Sequence, residues 1–184
     1  MSRNFRNGRE HRALRPLDTA ALEALALAYV GRYATTRARL ADYLRRKLRE
    51  RGWDDISEPP VPAIVARLAE LKYVDDAAFA DARGAALARR GYGGRRVAQA
   101  LAAAGVGEAD SAGARAAMQG GALAAALAFA RRRRIGPFAS VEPDRDQRRR
   151  ALAAMLRAGH APDLSRRIVN ALPGTDIEDD SVPW

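Results

Sequence analysis

Three glycines constrain what this chain can fold into. Leu44-x-x-x-Leu48-x-x-x-Gly52-Trp53, Val97-x-x-x-Leu101-x-x-x-Gly105-Val106 and Ala151-x-x-x-Met155-x-x-x-Gly159-His160 share one pattern, and subtracting residue numbers puts their glycines 53 and then 54 residues apart. Apolar residues four apart lie on one side of a helix, and a glycine just beyond takes the left-handed backbone that ends it. A steady period of this size describes stacked supersecondary units, none of which buries its apolar face alone. Ala151 is the weak member, and isolated helix ends of this type occur in any helical protein. The two near-equal intervals are what argue for a repeat.

The middle unit gives the detail. Asp75 reads as a helix N-cap, with Val74 and Phe79 at the two positions of a hydrophobic staple. The helix runs to about Arg90, Gly91-Tyr92-Gly93-Gly94 breaks it, a second starts near Arg95, and a third spans Ala112 to Gln119. Upstream, Asp18 or Thr19 caps a helix reaching Tyr33, with Leu22, Leu25, Tyr29 and Val30 inward. Thr35-Thr36 caps the next, where Leu40, Leu44 and Leu48 recur every four residues. Glu58-Pro59-Pro60-Val61-Pro62 is a stiff turn into a helix carrying Ile64, Val65, Leu68 and Leu71. Downstream, Gly120-Gly121 opens the last unit, whose first helix runs from Ala122 to about Arg134. Asp144 caps a helix with Leu152, Met155 and Leu156 inside, and a final helix, Asp163 to Leu172, presents Leu164, Ile168 and Leu172. The expected fold is therefore all-α, an elongated array of three tandem three-helix units over 18–73, 74–119 and 120–173. A basic tail, 1–17, and an acidic tail, 174–184, flank it. Aromatic residues are only 6% of the chain, so alanine, the best helix former, must supply close helix approach in place of bulky packing.

A net charge of +10 indicates an anionic partner. Lys47 and Lys72 are the only lysines, and arginine's planar fork suits phosphate and carboxylate. A coding bias towards arginine and alanine gives the same excess. The candidate contacts are the arginines on outer helix faces and a run of four at one helix end. They are Arg39, Arg45, Arg46 and Arg49 in the first unit and Arg95 and Arg96 in the second. In the third they are Arg131, Arg132, Arg133, Arg134, Arg150 and Arg157. Each group has a plainer reading. A charged outer face is what any amphipathic helix shows, and cations at a helix C-terminus are stabilised by its dipole.

Catalysis has little to stand on. His11 and His160 are the only histidines, and His160, beside a helix-ending glycine, reads as packing. Asp54-Asp55 and Asp75-Asp76 sit at helix starts with diverging side chains, so capping explains them better than a metal pair. Gly91-x-Gly93-Gly94 lacks the strand and third glycine of a dinucleotide fingerprint, and no phosphate loop occurs. No cofactor is expected. The absence of cysteine fits a reducing cytoplasm, and the apolar Gly121–Ala130 stretch is too short to span a bilayer.

These residues also carry a resemblance. Tyr73-Val74-Asp75-Asp76-x-x-Phe79-Ala80, followed by Tyr92-Gly93-x-x-Arg96-Val97-x-x-x-Leu101-x-x-x-Gly105-Val106, resembles the central signature of the RecX family of bacterial recombinase regulators. Ala28-Tyr29-Val30-x-x-Tyr33 with Lys47-Leu48-x-x-x-Gly52 resembles its first repeat, and Leu156-Arg157-x-Gly159 its third. Thr36-x-x-Arg39 stands where that family has a Ser-x-x-Glu capping box, and His160 where it has an aromatic. The resemblance implies a monomeric, non-enzymatic protein that binds RecA and its filament on single-stranded DNA. It further implies that strand exchange, ATP turnover and coprotease activity are mostly lowered. The alternative is a helical protein that binds DNA or RNA directly, with no recombinase partner.

Overall fold

The structure is a computed structural model and describes residues 15–177. Most of the expected basic tail and the end of the acidic one lie outside those residues. Nine α-helices follow one another, with no strand among the described residues: α1 (Thr19–Val30), α2 (Arg37–Arg51), α3 (Val61–Glu70), α4 (Asp76–Arg89), α5 (Gly94–Ala102), α6 (Ala112–Gly120), α7 (Ala122–Arg133), α8 (Arg145–Arg157) and α9 (Pro162–Asn170). The fold is all-α, as expected.

The helix starts are made by the capping residues. Asp18 accepts from Ala21 N at 2.7 Å, Asp75 from Ala78 N at 3.0 Å, and Thr36 from Arg39 N at 3.2 Å. Thr36 thus caps α2 without a glutamate partner. The reciprocal box appears instead at α8, where Asp144 and Gln147 bond each other's backbone N–H at 2.7 and 2.8 Å. Each satisfies first-turn donors that the helix leaves unpaired.

Three clusters of buried side chains succeed one another along the chain. The first gathers Leu22, Ala26, Leu40, Leu44, Ile64, Val65 and Leu68 from α1, α2 and α3. The second takes Ala80, Leu87, Val97, Leu101, Ala114 and Met118 from α4, α5 and α6. The third takes Ala126, Phe129, Ala130, Met155, Ile168 and Val169 from α7, α8 and α9. Burying one such aliphatic side chain contributes about 1.5–3 kcal/mol. The boundaries differ from expectation at three residues. Leu17, counted with the tail, is fully buried in the first cluster, and Val74, counted with the second unit, is buried there too. Ala125, counted with the third unit, packs in the second cluster. Leu71 and Leu172 are not inward: each follows the end of its helix and stands more than half exposed, at 57% and 55%.

The period of glycines has a structural cause. Gly105 and Gly159 hold positive φ of 73° and 94°, and each lies under the first turn of the preceding unit's second helix. A Cβ on Gly105 would sit 2.2 Å from Ala38 Cβ in α2, and one on Gly159 would sit 2.4 Å from Arg96 N in α5. The repeat is therefore the docking joint between units. Gly52, first of the three, has no helix before α1 packed on it among the described residues. Its carbonyl accepts Leu17 N–H at 3.0 Å, and Leu17 runs parallel to Trp53 in a single bridge. The segment Pro16-Leu17 occupies the place that a preceding helix fills elsewhere.

Candidate partner interface

The joints position the basic residues. At the first, buried Thr36 donates its hydroxyl to Ala104 O at 2.6 Å. Asp76, whose side chain is 2% exposed, accepts Arg37 N at 2.9 Å and Arg37 Nε at 3.1 Å, and Arg37 Nη2 also reaches Asp110. The hydrogen bond and charge of Asp76 push the Arg37 guanidinium above its ordinary value. Of the two adjacent carboxylates, Asp75 is a cap, as expected. Asp76 is also the clamp between units, which the sequence pattern did not reveal. Its one signal was an arginine next to the Thr36 cap.

At the second joint, Gly93 N donates to Ala158 O at 2.9 Å and Arg95 N to Gly159 O at 3.2 Å. Arg95 Nη2 adds a bond to His160 O at 3.2 Å. His160 is buried, with Nε2 3.1 Å from Gly91 O and its ring 5.5 Å from that of Phe129. Burial lowers its pKa, against the opposing effect of the Gly91 carbonyl. The imidazole is wedged between units as a packing group.

The structure sorts the nominated arginines. Arg39 lies with its guanidinium 5.5 Å from the Phe79 ring. Arg45 pairs with Asp42 at 3.2 Å, and Arg46 with Glu50 at 3.7 Å, while Arg49 is exposed farther along α2. The run ending α7 is more occupied than its sequence suggests. Arg131 lies 4.9 Å from the Phe138 ring and Arg133 5.7 Å from that of Phe129. Arg132 donates to Arg90 O, and Arg134 takes the left-handed C-cap at φ 52°. Arg150 is exposed on α8, away from these contacts.

Four of them converge from three helices. Arg95, Arg96 and Arg157 line one cleft with Gln99 and Leu156. Arg96, Arg133 and Arg157 line the adjoining one with Tyr92 and Phe129. No carboxylate among the described residues lines either cleft. The result is a basic seam along the second joint, built by the Gly93–Gly159 contact and suited to anions through guanidinium forks. Sequence spacing nominated all four residues; only the joint shows that they meet. Among the described residues no cluster of His, Asp or Glu could hold a metal ion, and no helix is long and apolar enough to cross a membrane.

Comparison with known proteins agrees with this architecture. No protein-family profile matches the chain. It is 31% identical over 148 residues to the regulatory protein RecX of Agrobacterium fabrum, covering 78% of each. It is 31% identical over 174 residues to that of Myxococcus xanthus, covering 86% of this chain and 89% of the relative. The crystal structure of RecX from Lactobacillus salivarius superposes with a TM-score of 0.61 at 18% identity, over 82% of this chain and 94% of that one. A second crystal structure of regulatory protein RecX gives 0.61 at 20% identity, over 82% and 74%. At these structural identities the likeness is one of fold. With relatives 31% identical over most of both sequences and solved structures of the same overall fold, the chain belongs to the RecX family of regulatory proteins.

Proposed function

We propose that this protein regulates the recombinase RecA by binding its nucleoprotein filament, and that the seam of Arg95, Arg96, Arg133 and Arg157 is a contact surface. The observation that carries this reading is the convergence of four guanidinium groups, with no lining carboxylate among the described residues, in a chain of this family. Arginine forks bind carboxylates and phosphates alike, so the seam suits acidic side chains of filament protomers or the DNA they hold. Three units linked by hydrogen-bonded joints make a stiff array that bridges neighbouring protomers and hinders DNA access or filament growth. Strand exchange, ATP turnover and coprotease activity fall in consequence. The protein acts without catalysis of its own, as a cytoplasmic monomer. Arg39, Arg45, Arg46 and Arg49 extend the contact along α2, and Arg131, Arg132, Arg134 and Arg150 extend it on the third unit.

The test is DNA-dependent ATP hydrolysis by RecA on single-stranded DNA, titrated with the folded protein. Turnover should fall at equimolar amounts or less. Unchanged turnover across that range overturns the proposal.

A further inference from the structure

The first unit carries an aromatic constellation that the recombinase reading does not use, although its neighbour Arg46 belongs to the contact proposed along α2. Aromatic residues are scarce in this chain, yet three of its five tyrosines gather at one place. Tyr29 on α1 stacks on Tyr43 of α2, with ring centroids 4.2 Å apart and planes 18° off parallel. Tyr33, in the turn between those helices, leans on Tyr29 at 5.3 Å and remains 53% exposed. Arg46 and Lys47 hold their cationic groups 5.6 and 5.9 Å from the Tyr43 ring. With Arg32 these six residues line a cleft of about 510 Å³, within the roughly 300–1,000 Å³ of ligand sites.

The core accounts for part of this cluster. Tyr29 and Tyr43 are half-buried against the first cluster, but Tyr33 covers nothing there. None of the three phenols has a hydrogen-bond partner among the described residues. The charges narrow the ligand. Glu50 pairs with Lys47 at 2.6 Å and with Arg46 at 3.7 Å, one carboxylate against two cations. Arg32 has no ion-pair partner among the described residues. Three cations in one cleft repel a cationic guest, although aromatic rings alone would accept one. The cleft instead combines a flat exposed ring with positive charge at its rim. That is the chemistry of sites for single-stranded nucleic acid, in which bases stack on aromatic faces and the backbone follows cations. A duplex does not fit, because its bases already stack on each other.

We propose that this cleft binds single-stranded nucleic acid, with an unpaired base stacked on Tyr33 and adjacent phosphates held by Arg32, Arg46 and Lys47. Arg45 and Arg49 continue the basic track along α2. This site is separate from the seam and does not depend on a recombinase partner.

Fluorescence anisotropy of labelled oligothymidine, oligouridine and a DNA hairpin duplex tests it on the full chain, with Tyr33→Ala, Tyr33→Phe and Arg32→Glu beside the parent. Losing one stacked base should weaken binding of the oligothymidine by roughly 5- to 150-fold in Tyr33→Ala. Tyr33→Phe should bind like the parent, and duplex affinity should be the same for all three tyrosine-position proteins. Arg32→Glu should weaken oligothymidine binding and flatten its log–log salt slope by about 0.7. Because Arg32 is exposed, with no ion-pair partner among the described residues, this variant reads the same site should Tyr33→Ala melt early. Equal loss on oligothymidine and oligouridine means the site accepts either sugar, and loss on only one assigns it to that nucleic acid. Three results overturn the proposal: parental affinity in both Tyr33→Ala and Arg32→Glu, an equal fall on duplex and single strands in Tyr33→Ala, or Tyr33-dependent binding of polyglutamate as tight as that of the oligonucleotides.

Discussion

The three repeat glycines allow one substitution to be made at three equivalent positions with different expected costs. All have positive φ, at 83°, 73° and 94° for Gly52, Gly105 and Gly159. Alanine in such backbone costs about 1–3 kcal/mol. Gly52→Ala should cost little beyond that, since the nearest atom to a new Cβ is Pro16 Cβ at 3.9 Å. In Gly105→Ala the new methyl lies 2.2 Å from Ala38 Cβ, so the first turn of α2 must lift away. Overpacking of this kind adds about 1–3 kcal/mol, and breaking the Thr36–Ala104 hydrogen bond at 2.6 Å costs about 1 more. The total is roughly 3–7 kcal/mol, a large part of the about 5–15 that holds an ordinary domain. Gly159→Ala should match or exceed it, because the obstacle is the backbone N of Arg96 at 2.4 Å. Urea denaturation followed by far-ultraviolet circular dichroism gives the ranking. A second change, Ala38→Gly, leaves Ala38 Cα at 3.8 Å as the next neighbour. It should restore the overpacking share of Gly105→Ala, less about 1 kcal/mol for a glycine in α2. Equal losses at all three glycines, or no rescue by Ala38→Gly, would refute the joint as the origin of the repeat.

Other outcomes follow from the same architecture. Asp76→Ala should destabilise by about 2–3 kcal/mol, because two donors of Arg37 are left without a buried acceptor while the half-exposed guanidinium recovers some solvation; Asp75→Ala beside it should cost less, and chemical denaturation compares them. His160 should make stability depend on pH. Its folded pKa is depressed below the ordinary 6.5 by burial, so the unfolded chain binds the proton more readily and stability falls as pH drops through about 6.5 towards the folded value. His160→Phe should remove that component, and melting curves between about pH 7 and 5 would reveal it. Replacing Arg45, Arg46 and Arg49 by glutamate should shift stability by less than about 0.5 kcal/mol per site, as exposed changes do. Single-strand affinity should fall, with the salt slope reduced by about 0.7 for each phosphate that the side chains no longer neutralise.

The helical pattern was open to reading because it rests on local physics. Caps at Asp18, Thr36, Asp75 and Asp144 and apolar residues four apart need no knowledge of the rest of the chain. Where local pattern misled, distant residues decided. Leu17 lies among basic residues and looks like tail, yet Gly52 and Trp53 bury it. Leu71 continues an apolar spacing, but α3 ends at Glu70 and the chain turns away at the left-handed Lys72, φ 61°. The interface shows the same division. Arg96 and Arg157 are each legible as outer-face residues of their helices; their meeting depends on Gly93 approaching Gly159, which no spacing encodes. Tyr29, Tyr33 and Tyr43 likewise draw together only through the packing of α1 on α2. The arginines ending α7 teach the opposite lesson. A run that reads as one anion site is divided among Phe138, Arg90 O, Phe129 and a C-cap.

The most direct measurement compares the parent with a double variant, Arg96→Glu and Arg157→Glu, for affinity to the RecA filament on single-stranded DNA. Both side chains are exposed at the seam, so the variant should melt like the parent. The account predicts tight filament binding by the parent, far stronger than to bare DNA, and a large loss in the variant as each attraction becomes a repulsion. A variant that melts normally and binds the filament as tightly as the parent would contradict it.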